Sequence, residues 1–119
     1  MKVAISCQGN ELNNPVDPRF GRAQGFIIYD DETGKYDYVD NKQNLNAAQG
    51  AGIQSAQNVA ATGAKAVITG HVGPKAYSAL SVGKIDVYLC EDGTVEQALE
   101  KLKTGSLEKS SEADRPSHW

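Results

Sequence analysis

Short apolar runs separated by glycine and polar turns make up most of the chain, and their period changes halfway along. The first half has strand-length runs. Lys2 to Cys7 is apolar through Val3, Ala4 and Ile5 and stops at Gln8-Gly9-Asn10. Glu11 to Arg22 is polar, contains Pro15 and Pro18, and predicts a long loop, of the kind that binds or stays unstructured. Phe26 to Tyr29 predicts a strand, Asp31-Glu32-Thr33-Gly34 a turn, and Tyr36 to Val39 the returning strand of a hairpin.

The second half is spaced helically. Ile53, Ala56, Val59 and Ala60 form a stripe between Gly50 and Thr62, and Gly63 stands where a left-handed cap belongs. Ala66 to Thr69 is a fully apolar strand bounded by Gly70. Gly73-Pro74 places proline at a first helical position, with Ala76, Tyr77 and Leu80 as the stripe of a short helix before Gly83. Ile85 to Leu89 is the last strand. Thr94 with Gln97 forms a capping box, and Val95, Ala98, Leu99 and Leu102 follow i, i+3, i+4, i+7. From Gly105 the chain is polar. The expected division is one domain over residues 1–104 and a flexible polar tail over 105–119.

The order β, β, β, α, β, α, β, α implies right-handed crossovers between parallel strands and an antiparallel hairpin beside them. The expected fold is α/β, a ribonuclease H-like three-layer arrangement with a mixed five-stranded sheet flanked by helices. The first strand is expected at the centre, with residues 66–69 beside it and 85–89 outside.

Composition narrows the function classes. The chain has 119 residues, with 12 Lys and Arg against 15 Asp and Glu and a formal charge of −3. That balance excludes a generally basic nucleic-acid binder. No apolar run approaches the roughly 20 residues of a membrane span, and Met1 to Cys7 turns polar too soon for a secretory leader. A soluble cytoplasmic protein is expected, with Cys7 and Cys90 as thiols.

Ligands of open α/β sheets bind outside the carboxyl ends of the parallel strands. Cys7-Gln8-Gly9, Gly70-His71-Val72-Gly73 and Cys90-Glu91-Asp92 all arrive there. A two-metal nuclease needs carboxylates on the central strand, and Lys2 to Cys7 has none. A Cys–His nucleophile from Cys7 or Cys90 with His71 lacks an identifiable orienting group and oxyanion hole. No phosphate-binding Gly-x-x-x-x-Gly-Lys-Ser/Thr or dinucleotide fingerprint occurs.

Anion or cluster binding remains. Asp17-Pro18-Arg19-Phe20-Gly21-Arg22 puts two guanidinium forks on one stiffened loop; they either bind a multi-oxygen or multi-sulfur anion or pair with nearby acids. Gly73-Pro74 either opens an ordinary helix or offers its N–H groups to an anion. His71 is a soft-metal ligand or a polar loop residue satisfied by backbone. Cys7 and Cys90, two strands apart, stand roughly 10 Å from each other, too far for a disulfide but within reach of one large cluster. His118-Trp119 either folds over a ligand or frays.

Three segments together resemble a known family: Asp17-Pro18-Arg19-Phe20-Gly21-Arg22; Gly50-Ala51-Gly52-Ile53 opening a helix; and Val67-Ile68-Thr69-Gly70 followed by Gly73-Pro74-Lys75-Ala76. Over residues 1 to about 103 the chain resembles the dinitrogenase iron–molybdenum cofactor biosynthesis family, and its short stand-alone layout is most similar to that family's orange proteins. The resemblance implies a non-enzymatic carrier or scaffold for an anionic metal–sulfur cluster. The cluster would be a molybdenum–copper sulfide, as in orange proteins, or the iron–molybdenum cofactor or its precursor. It implies a site at Arg19, Phe20, Gly21, Arg22, Gly50, Gly52, His71, Gly73, Pro74 and Lys75. Some relatives use a histidine or cysteine ligand, which here would be His71 or Cys7. A cluster-accepting protein would be the partner. The competing expectation is a cofactor-free module that docks a partner such as a P-loop ATPase.

Overall fold

Val3, Ile5 and Cys7 alternate with Ala4 along the first strand, and this alternation sets the layers of the molecule. The computed structural model describes residues 1–41 and 50–110. In chain order they form β1 (Lys2–Cys7), β2 (Gly25–Asp30), β3 (Tyr36–Asp40), α1 (Ala51–Ala61), β4 (Ala66–Thr69), α2 (Pro74–Val82), β5 (Asp86–Leu89) and α3 (Val95–Lys103). The sheet order is β3-β2-β1-β4-β5. β1 pairs antiparallel with β2 and parallel with β4, and β5 is parallel to β4. The centre and the outer strand fall where the crossovers predict them.

Ala4, Phe26, Ile28, Val67 and Val87 face α1 and α2, forming one core with Ala56, Val59, Ala76 and Leu80. Val3, Ile5, Cys7, Ile27 and Ile68 face the other way, against Val95, Ala98 and Leu99 of α3. Two apolar layers on one sheet give the three-layer architecture. Among the described residues, no helix is long and apolar enough to cross a membrane.

Two details differ from the sequence expectation. The buried face of α1 is Ala51, Ser55, Ala56 and Val59, while Ile53 and Ala60 are exposed. The helix is rotated because Ser55 turns inward to hydrogen-bond the loop carbonyl of Gly21 and the Asn41 side chain. The second difference lies after α3. Gly105 (φ 74°) ends that helix in a Schellman turn, its N–H bonded to Leu102 O and the Ser106 N–H to Lys101 O. The chain then follows the outer edge of β5: Leu107 packs on the α3-side core, Lys109 pairs opposite Tyr88, and the Ser110 N–H donates to Val87 O at 2.7 Å. Residues 105–110 of the expected tail are therefore folded, because backbone groups pair with a strand edge whatever the side chains. His118 and Trp119 lie outside the described residues.

Candidate functional site

Chain direction brings the charged and glycine-rich segments to one edge. β1, β4 and β5 run the same way, and α2 and α3 start where β4 and β5 end. α1 leads into β4, so it too begins at that edge. The three described helices thus open together at the carboxyl ends of the parallel strands, each with the partial positive charge of a helix N-terminus. A Cβ on Gly52 would lie 2.9 Å from the Ala76 Cβ, so the first turns of α1 and α2 touch.

The three helix starts are not alike. α3 is closed: Thr94 and Gln97 form the capping box, the Val95 and Glu96 N–H groups donate to Asn14 O and Leu12 O, and Glu96 adds an acid to the first turn. α1 begins at Gly50 (φ 80°) and α2 at Gly73, neither with a side-chain cap nor an acidic residue in its first turn. A helix start without cap or acid suits an external anion.

Asp17-Pro18-Arg19-Phe20-Gly21-Arg22 crosses this edge and is fixed by its main chain. The Asp17 N–H donates to Ser6 O at 2.8 Å, and the buried Ser6 Oγ lies 2.7 Å from both Asp17 O and Thr69 Oγ1. Arg19 and His71 form a parallel bridge, with the Phe20 N–H donating to His71 O at 3.2 Å. Pro18 lies directly on Gly70, where a Cβ would stand 2.6 Å from Pro18 O and 2.7 Å from its Cα. Phe20 is fully buried, its ring 5.3 Å from that of Phe26, so it anchors the loop and offers no side-chain surface to a ligand.

The arginines end in different surroundings. Arg19 is exposed, and among the described residues no carboxylate forms an ion pair with its guanidinium. Asp17 instead accepts the Arg19 backbone N–H at 3.0 Å. Burial pushes the Asp17 carboxyl above its ordinary value, opposed by the N–H groups of Arg19 and Gln24 and by the Arg19 charge. Arg22 is half-buried between two carbonyls held from elsewhere: Gly21 O accepts from Ser55 Oγ at 3.0 Å, and Ala23 O from Asn41 Nδ2 at 3.0 Å.

His71 is buried with Nε2 3.3 Å from Glu91 Oε1. Lys75 is exposed in the first turn of α2, beside Pro74. The two thiols repeat one arrangement at two strand ends: Cys7 Sγ donates to Gly9 O at 2.8 Å, and Cys90 Sγ to Asp92 O at 3.2 Å. Both are buried on the α3 side of the sheet, and burial pushes the Cys7 thiol up. Among the described residues, no group of three or more His, Cys, Asp or Glu side chains is assembled as a metal site. The donors present suit an anion held by charge and N–H groups.

Sequence reasoning missed Ser6, Thr69, Asn41 and Ser55, the buried polar side chains that hold the loop, and the half-buried Asn58 behind them. Ser55 left one trace, a polar residue one helical turn from both Gly52 and Val59, which places it near the core.

The chain belongs to the dinitrogenase iron-molybdenum cofactor family, which it matches over residues 1–105. Within reach of that family, it is similar to the orange protein of Desulfovibrio gigas, solved at high resolution in its apo form. The identity is 38%, with 96% of each chain covered and a TM-score of 0.93. It is also similar to a Thermotoga protein solved by NMR and described as NifB-type, at 35% identity, TM-score 0.85 and coverage of 96% and 97%. An uncharacterized protein of Methanocaldococcus jannaschii is 33% identical over 114 residues, 92% of this chain and 91% of that one.

Proposed function

We propose that this chain is a non-enzymatic carrier that holds an anionic metal–sulfur cluster as cargo at the arginine-loop edge. The family relates it to iron–molybdenum cofactor carriers and scaffolds. One observation carries the finer reading: two touching helix starts, uncapped and free of acids, lie beside a loop whose two arginines are fixed through their backbone. Guanidinium forks and helix N–H groups hold a multi-sulfur anion without a covalent bond, and such cargo can be released to an accepting protein. Similarity to the orange protein favours a molybdenum–copper sulfide; the iron–molybdenum cofactor or its precursor has the same charge character. The residues in the role are Arg19, Arg22, Lys75, the first turns after Gly50 and Gly73, and Gly52, whose missing side chain lets those turns meet.

The test is anaerobic incubation with tetrathiomolybdate and copper, desalting, then a visible spectrum with elemental analysis. Molybdenum, copper and colour are expected to co-elute with the protein. The Arg19→Ala, Arg22→Ala double variant is expected to lose cargo roughly ten- to a hundred-fold faster while its circular dichroism is unchanged. A colourless, metal-free eluate overturns this cargo and favours the same edge as a docking surface for a partner such as a P-loop ATPase.

A further inference from the structure

Asn41 follows the last residue of β3, and its side chain has no exposed surface. Its Nδ2 lies 3.0 Å from Ala23 O, 3.1 Å from Ser55 Oγ and 3.5 Å from Gly21 O. Its Oδ1 accepts from Asn58 Nδ2 at 3.2 Å, and its backbone N–H donates to Gln24 O at 2.9 Å. An amide has two N–H bonds to give, so the two shorter contacts, to Ala23 O and Ser55 Oγ, take them. The Ser55 hydroxyl has two acceptors in reach, Gly21 O at 3.0 Å and Asn41 Oδ1 at 3.3 Å, and its one proton goes to the nearer. The result is a directional chain, from Asn58 to Asn41, then to Ala23 O and through Ser55 to Gly21 O.

The two terminal acceptors are the carbonyls of the residues flanking Arg22. The Gly21–Arg22 peptide plane, which carries the Arg22 N and Cα, is held on one side, and the Ala23–Gln24 plane on the other, so the Arg22–Ala23 peptide is spanned between two held planes. The donors stand on α1, at Ser55 and Asn58, and just after β3, so the Arg22 backbone is referenced to the body of α1. Arg19 is fixed by a separate set of bonds, through Asp17 and His71. Burying Asn41 and Ser55 away from water is costly unless they are bonded. An apolar residue would pack without that cost, but at position 41 it would leave Ala23 O without its donor, and at position 55 Gly21 O without its shorter one.

We infer that Asn41, relayed by Ser55, is the positioning residue that fixes the Arg22 backbone against α1 for cargo. This rests on the carrier reading, but its first readout does not. In cargo-free protein labelled with nitrogen-15, Asn41→Ala is expected to lower the backbone order parameter at Arg22 and leave that at Arg19 unchanged. Ser55→Ala, the milder change, should do the same to a smaller extent. Unchanged order at Arg22 in both variants, or an equal loss at Arg19, overturns the inference.

The second readout uses the molybdenum–copper–sulfide cargo. Asn41→Ala should speed its dissociation roughly five- to thirty-fold. In the Arg22→Ala background it should add nothing, while in the Arg19→Ala background it should act in full. Equal effects in both backgrounds would mean that Asn41 merely supports the fold. Normal retention in Arg22→Ala, with Arg22 loosened by Asn41→Ala, would instead overturn the role of Arg22 in the carrier reading.

Discussion

Gly70 has no side chain because the backbone of Pro18 occupies the place where one would go. Gly70→Ala is expected to lift the arginine loop and cost about 1–3 kcal/mol, read as a lower midpoint in denaturant. Gly and Pro are visible in the sequence, but their contact joins residues far apart in the chain, and no local pattern encodes it. Asp17 is legible only in part for the same reason. Its sequence neighbours suggest a surface ion pair with Arg19, whereas folding buries the carboxylate and turns it to a backbone N–H. With its pKa raised in the folded state, the native protein binds the proton more readily than the unfolded chain, so this group adds stability as pH falls through its folded value. Asp17→Asn keeps an oxygen for the Arg19 N–H. Thermal melts are expected to show the variant more stable than wild type near pH 7, the advantage shrinking as pH drops and wild-type Asp17 protonates.

Elements that depend on near neighbours were readable in advance. The capping box of α3 lies within four residues, and the β2–β3 hairpin turns on Gly34 (φ 74°), so both stand where expected. The facing of α1 was not readable, since Ser55 is drawn inward by the Gly21 carbonyl of a distant loop and by Asn41. Helix starts also show a division of labour. α3 satisfies its own, while those of α1 and α2 are left for something else. Lys75→Glu tests this at the level of the helix. An acid in the first turn should stabilise the cargo-free protein by about 0.3–1 kcal/mol through the helix dipole. It should also lower molybdenum retention after desalting. Gains in both, or losses in both, would contradict the assignment of that helix start to an anion.

At the scale of the molecule, strand order and layers were legible because crossover handedness leaves few arrangements. The folded stretch at 105–110 was not, because an edge strand accepts any backbone. Packing on the α3 side also decides the thiols. Cys7 lies between sheet and helix with its pKa raised by burial, partly offset by the backbone N–H groups of Gly9 and Ile27. Alkylation by iodoacetamide at pH 7 is expected to be slow at Cys7 in native protein and fast in denaturant, read by mass spectrometry. Rapid native labelling would mean that this layer opens.

The common edge of the parallel strands and helix starts has a consequence for traffic. The molecule measures 35 × 27 × 25 Å and is negative overall, so on the carrier reading an anion is drawn to this edge against the net charge of the rest. At physiological salt that pull reaches about 8 Å, a fraction of the molecule's width, and an approaching cluster is turned toward the region only in the last moments before contact. If this edge holds the cargo as proposed, arrival and departure share a single doorway. A donor still covering it would leave no room for a recipient, and handover would proceed in turns, with the carrier free of both between them.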